Sequence, residues 1–218
     1  MPSSNEQTSR MMRGFYGGTF DPIHQGHLQL ALYVLAHCQL NQLDLLPCHI
    51  PPHRAAPGSS SAHRAAMVKI AIAKHPGLVM NELELSKNSP SFTVDTLTAL
   101  KQQFPQDTLC FLLGMDSLCS FKSWHRYEQI LQLAHLIVLQ RPGYSVMNGD
   151  APSLLAAHQV NEVAELRQCQ AGKIVLLDNP TYAISASQIR GQYQQNQIDP
   201  NLQIPEVQQY IEQHQLYR

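Results

Sequence analysis

Six short apolar bursts, each followed by a loop and a helix-like segment, restrict this chain more than any other feature. They are RGFYG (13–17), QLDLLP (42–47), LVMNELEL (78–85), TLCFLLG (108–114), HLIVLQ (135–140) and KIVLLD (173–178). Most are continuous rather than alternating, which is the pattern of parallel strands covered on both faces. Between them, Leu28, Ala31, Leu32 and Leu35 recur at helical spacing. Ser61 stands as a cap before AHRAAMVKIAIAKH, which His75-Pro76-Gly77 would end. SFTVDTLTALKQQF predicts a helix from about Thr93 that Pro105 stops, and Pro205 opens a last one. The expectation is an α/β fold: an open, mostly parallel sheet with helices on both faces. In such sheets ligands sit outside the carboxyl ends of the strands, so the loops that follow strands carry the chemistry.

A chain of 218 residues suffices for one well-buried core. The expected organisation is a flexible polar tail at 1–11 and a single domain at 12–218. Hydrophobic residues make up 44% and charged residues 14%, an ordinary globular composition. The net charge of -1 excludes the broad basic face that nucleic acid or a membrane surface would require, so any basic site must be local. The five cysteines are odd in number and never form a C-x-x-C pair, which reads as reduced thiols in the cytoplasm. No apolar run approaches the roughly 18 residues of a membrane span. Proline, glycine and serine mark IPPHRAAPGSSS (50–61) and RPGYSVMNGDAPS (141–153) as mobile loops. His49 and His53 are four apart, but Pro51 and Pro52 forbid the helix that would make them co-ligands, and no zinc site is expected.

Three constellations fall on loops after strands. In GGTFDPIHQGH, Gly17 and Gly18 let the backbone turn tightly, Gly26 allows close approach at a helix start, and His24 and His27 lie one turn apart. A helix beginning has unpaired amides and partial positive charge, so the two imidazoles and the helix end are placed to hold an anion together. The bland reading is a glycine turn with two solvated histidines. In ISASQIR, Ser185 and Ser187 precede Arg190, giving hydroxyls, amides and a guanidinium suited to a polyphosphate. The bland reading there is a Ser-capped helix with a surface arginine. The third set comprises PPHR (51–54), SFTVDTL (91–97) and GMDSLCSFKSWHR (114–126). Asp116 follows a strand and Gly114, and can accept from a sugar hydroxyl or base amine, while Trp124 offers a stacking face. As alternatives, Trp124 is a core or rim aromatic and Asp95 a first-turn helix charge.

His24-Gln25-Gly26-His27 resembles the HxGH motif of the nucleotidyltransferase superfamily, and ISASQIR resembles its second phosphate motif, ISSTxIR. PPHR, SFTVDTL, GMDSL, Trp124 and RPG (141–143), in that order, resemble the bacterial nicotinate-nucleotide adenylyltransferase family. The resemblance implies a Rossmann-like nucleotidyltransferase fold and adenylyl transfer from ATP, with Mg2+ carried mainly by the ATP phosphates, to nicotinate mononucleotide. It implies that Gly17, Gly18, Thr19, Phe20 and Gly26 cradle phosphates and that His24 and His27 bind those of ATP. Ser185, Ser187 and Arg190 would grip the triphosphate, with Gly114 and Asp116 near the nucleotides. His53, Arg54, Phe92, Thr93 and Trp124 would hold nicotinate mononucleotide. Arg54 stands where the family commonly has Lys, Phe92 where Tyr is common, and Ala186 where many members have Ser.

Three alternatives stay open at the level of sequence. The same chemistry could act on nicotinamide mononucleotide or phosphopantetheine; the chain could be a nucleotide-binding regulator without turnover; or the histidines could serve a metal-dependent hydrolase, against which stands the lack of a carboxylate cluster. Oligomeric state leaves no mark in the sequence.

Overall fold

The computed structural model describes residues 10–48, 58–85 and 92–218. Within them run β1 (Met12–Gly18), α1 (Gln25–His37), β2 (Gln42–Pro47), α2 (Ser61–Ile72), β3 (Leu78–Met80), α3 (Thr93–Gln103), β4 (Thr108–Gly114) and the single turn α4 (Met115–Leu118). There follow α5 (Tyr127–Leu133), β5 (His135–Leu139), α6 (Ala151–His158), β6 (Gln159–Val160), β7 (Ile174–Leu177), α7 (Ala186–Gln194) and α8 (Pro205–Gln213).

The seven strands form one sheet in the order β3-β2-β1-β4-β5-β7-β6, and every pairing is parallel. Continuous apolar strands follow from burial on both faces. Along β4, Leu109, Phe111 and Leu113 face one core, with Val94 and Leu97 of α3, while Cys110 and Leu112 face the other, with Leu28 and Ala31 of α1. This two-residue alternation holds on β5 as well, where Leu136 and Val138 oppose Ile137 and Leu139. The helices therefore cover both faces, α1, α2, α7 and α8 on one and α3, α5 and α6 on the other.

From β1 the chain runs outward through β2 to β3, then crosses back to place β4 on the other side of β1. The strand order reverses between β1 and β4, whose carboxyl ends are Gly17-Gly18 and Gly114. That crevice is where an open α/β sheet binds its ligand.

Several local expectations are corrected. The cap of α2 is Ser60, whose hydroxyl accepts from the His63 amide, not Ser61. The helix ends at Ile72, ahead of His75. The third apolar burst pairs only over Leu78–Met80, because the Asn81 side chain accepts from the Leu83 amide and turns the chain away from the ladder. Ala151–Ser153, assigned to a mobile loop, opens α6, with Pro152 where a helix has no use for an amide hydrogen. Among residues 1–11, Met11 already bonds to the sheet, its carbonyl accepting from the Thr108 amide at 2.9 Å.

Candidate active site

The first constellation grows from the end of β1. After Gly17 and Gly18 the chain folds back so tightly that a Cβ on Gly18 would lie 2.8 Å from the Phe20 ring. Phe20 takes a left-handed backbone (φ 49°), strained for a bulky residue, and its buried ring packs edge-on to Tyr16 and His27. His24 then caps α1 in extended conformation. A Cβ on Gly26 would lie 3.2 Å from His24 Nδ1 and 3.3 Å from Tyr182 Cβ, so glycine is what admits the loop after β7 to this helix end.

His24 is buried and His27 half-buried. Their rings stack with centroids 3.7 Å apart, and His24 is only 5% exposed. Burial lowers the His24 pKa from 6.5 to about 4. Burial also holds that of His27 well below 6.5, helped by the charges of His24 and Arg141. Both are neutral imidazoles near pH 7. The His24 amide donates to His27 Nδ1 at 3.4 Å, which leaves the His27 proton on Nε2 as a donor. His24 Nδ1 is buried and, among the described residues, has no hydrogen-bond partner.

The second constellation meets the first. Ser185 caps α7, its hydroxyl accepting from the Gln188 amide at 3.1 Å. One turn on, Arg190 Nη1 donates to the Asp21 carbonyl at 2.7 Å and lies 3.8 Å from Asp21 Oδ2, while Nη2 donates to Ser187 Oγ at 3.4 Å. Arg190 is thus anchored to the loop that leads into His24. Its guanidinium is no free surface arginine.

Across the crevice, Asp116 Oδ2 accepts from Arg141 Nη1 at 2.6 Å. The other oxygen, Oδ1, is buried and finds no partner among the described residues. An added Cβ on Gly114 would run into that oxygen, so the carboxylate can turn back over the strand end only because residue 114 is glycine. Beside it a cleft of about 450 Å3 opens between Met115, Arg141, Tyr144, Val146 and Thr181.

The third set gathers at the start of α3. Phe92 caps the helix without a side-chain bond, Thr93 is its first residue, and the Phe92 ring lies 4.9 Å from that of His125. Neighbouring Trp124 is half-buried, tilted on Phe121 at 5.3 Å and edge-on to Phe111 at 6.2 Å. Phe111 in turn lies against Gly17, whose added Cβ would meet its ring at 3.5 Å. His53 and Arg54 lie outside the described residues.

Sequence reasoning passed over Asp21, Arg64 and Tyr217, and saw Arg141 only within RPG. Arg64, 1% exposed, donates from Nη1 to the Thr19 carbonyl at 2.8 Å. The signal was an arginine in helical register with Met67, Val68 and Ala71.

Two strand ends at a switch point, a histidine pair at a helix start and an arginine tied to the same loop define a nucleotide-handling transferase of the HxGH type. The chain matches the cytidylyltransferase-like family over residues 15–192, and it belongs to that family and, within it, to the nicotinate-nucleotide adenylyltransferases. It is 46% identical over 206 residues to a protein of Aeromonas hydrophila named "Probable nicotinate-nucleotide adenylyltransferase", covering 94% of this chain and 96% of that one. A protein of the same name from Cronobacter sakazakii is 43% identical over 210 residues, covering 95% and 96%. The fold is that of Plasmodium falciparum nicotinic acid mononucleotide adenylyltransferase complexed with NaAD, with TM-score 0.71 and 20% identity, covering 95% of this chain and 98% of that one. The same parasite enzyme complexed with APC superposes with TM-score 0.70 at 21% identity, again covering 95% and 98%. This chain is an enzyme, a nucleotidyltransferase.

Proposed function

We propose that this enzyme transfers the adenylyl group of ATP to nicotinate mononucleotide, giving deamido-NAD and pyrophosphate, in the cytoplasm. The observation that carries the reading is the convergence of His24, His27 and Arg190 on one loop at the β1/β4 crevice. The names of relatives that cover nearly the whole chain supply the substrate class.

The chemical problem is to bring two anions together. A phosphate monoester carries roughly -1.5 to -2 charge near pH 7, and it must approach the α-phosphorus of ATP. Its oxygen is already nucleophilic, so direct in-line displacement requires no serine or cysteine intermediate. The site's work is alignment and charge stabilisation. Gly17, Gly18, Thr19 and Phe20 offer backbone to the phosphates, and the amides opening α1 meet them at Gly26. The His24 and His27 N–H groups donate to the ATP phosphates, and Arg190 with Ser185 and Ser187 holds the triphosphate. Asp116, whose buried Oδ1 has no partner among the described residues, accepts from the nucleotide beside Gly114, and the cleft along Arg141 takes the adenosine half.

In this reading Mg2+ would arrive on ATP as part of the co-substrate and would shield its charge. The pyridine half rests between Phe92, Thr93 and Trp124, with its carboxylate toward the uncapped start of α3. His53 and Arg54 complete the mononucleotide's surroundings in this reading.

Incubation with Mg-ATP and either nicotinate or nicotinamide mononucleotide, following dinucleotide and pyrophosphate, tests the proposal. Dinucleotide formed preferentially from nicotinate mononucleotide is expected. Product from the amide form alone overturns the substrate, and ATP binding without pyrophosphate from any acceptor overturns turnover itself.

A further inference from the structure

The described residues hold one densely bonded polar knot that the mechanism does not use directly. Asp21, 4% exposed, accepts at Oδ1 from Tyr217 at 2.7 Å and Ser59 Oγ at 2.6 Å, and at Oδ2 from the Gly58 amide at 2.7 Å. Its backbone carbonyl is the anchor of Arg190. Tyr217 lies 196 positions from Asp21 in the chain, beyond α8, and is 8% exposed. The knot is tightly filled, since a Cβ on Gly58 would meet Arg190 Cδ at 3.3 Å, Asp21 Oδ2 at 3.4 Å and Tyr217 Cδ1 at 3.5 Å. The same carboxylate pairs loosely with the guanidinium, Oδ2 to Nη1 at 3.8 Å. Three donors that occupy both of its oxygens fix that separation and keep Asp21 from closing further on Arg190.

We infer that Tyr217 is a positioning residue for ATP: its hydroxyl fixes the Asp21 carboxylate, which sets the Arg190 guanidinium and the approach to His24. The inference rests on the proposed adenylyl transfer for its kinetic readout but not for its binding readout. Burial, then the hydrogen bond and charge of Asp21, push the Tyr217 phenol up, so it stays a donor throughout the working range.

Tyr217→Phe keeps the ring and removes the donor. At 25 °C, where the variant remains folded, kcat/KM for ATP should fall between about 10- and 100-fold, the scale of a slightly misplaced catalytic group. The KM for the mononucleotide should hold, and the affinity for ATP alone, by calorimetric titration, should weaken. In an Arg190→Ala background the same change should add little, because the two act through one path. Ser59→Ala, which removes the other donor to the same oxygen, should give a smaller loss of the same kind and serves if the tyrosine variant does not fold. Wild-type ATP kinetics and ATP affinity in both variants, or losses that multiply with Arg190→Ala, overturn the inference. If wild type makes no dinucleotide from nicotinate mononucleotide, the substrate reading falls alone, and a difference in ATP affinity between wild type and Tyr217→Phe still supports the role of Tyr217.

Discussion

Arg190 reaches across 169 positions of chain to donate to the backbone carbonyl of Asp21 at 2.7 Å, and this bond ties α7 to the loop that leads into His24. Its side chain is 32% exposed, so it keeps a face toward the crevice while held from behind. Arg190→Ala should lower kcat about 100- to 1000-fold, the usual cost of one donor to a transition-state anion. Circular dichroism and thermal melting should change little beside that loss. Arg190→Lys should recover only part of the rate, since an ammonium cannot hold Ser187, the Asp21 carbonyl and a phosphate in one plane.

The histidine pair makes stability depend on pH in a stated direction. The His24 pKa falls from 6.5 in the unfolded chain to about 4 when buried, so on acidification the unfolded state takes up the proton first. Its contribution is full above about 6.5, declines as pH falls, and is lost by about 4. His24→Asn keeps a good helix cap and removes the titration. Urea melts between pH 7 and 4 should show a shallower acid loss in the variant than in wild type. Turnover should drop about 100- to 1000-fold, because the shorter amide, although itself a donor, does not reach where the imidazole N–H donates.

Asp116 and Arg141 form an ion pair whose arginine is 55% exposed, so its worth in stability is small, on the order of 1 kcal/mol or less. Its worth lies in placement. Asp116→Asn should raise the KM for ATP with little change in melting temperature. Gly114→Ala should act through the same oxygen, because the new methyl displaces the Asp116 carboxylate. Combining the two should therefore cost less than the product of the separate losses, as steady-state kinetics of the double variant will show.

How much of this was readable in the chain depends on the range of the interaction. The strands were legible because burial on both faces makes them continuous apolar runs, and β6 was not, being two residues long and without a pattern to find. His24, His27 and Arg190 were legible because each lies in a local motif. Their surroundings were not. That His24 is buried and neutral, stacked on His27, is settled by the folded surroundings and not by the motif, and that Arg190 is anchored depends on Asp21, Ser59 and Tyr217 meeting from distant segments. Ser60 displaced Ser61 as the cap of α2 because which of two adjacent serines points at the His63 amide is settled by backbone geometry.

Arg64 gives the sharpest test of the support beneath the loop between β1 and α1. It is 1% exposed on the buried face of α2 and donates to the Thr19 carbonyl at 2.8 Å, holding the loop just before the strained turn at Phe20. Arg64→Met preserves much of the stem's packing and removes the donor. The half-buried Thr19 carbonyl then loses this donor and Cys48 loses the guanidinium beside it, at a combined cost of about 1–3 kcal/mol. For a chain of this size that corresponds to a drop in melting temperature of roughly 2–12 °C, measurable by scanning calorimetry. Because Thr19 lies between the glycines and His24, kcat should fall at temperatures where the variant is still fully folded. An unchanged kcat there would mean that the turn at Phe20 keeps its shape without the arginine.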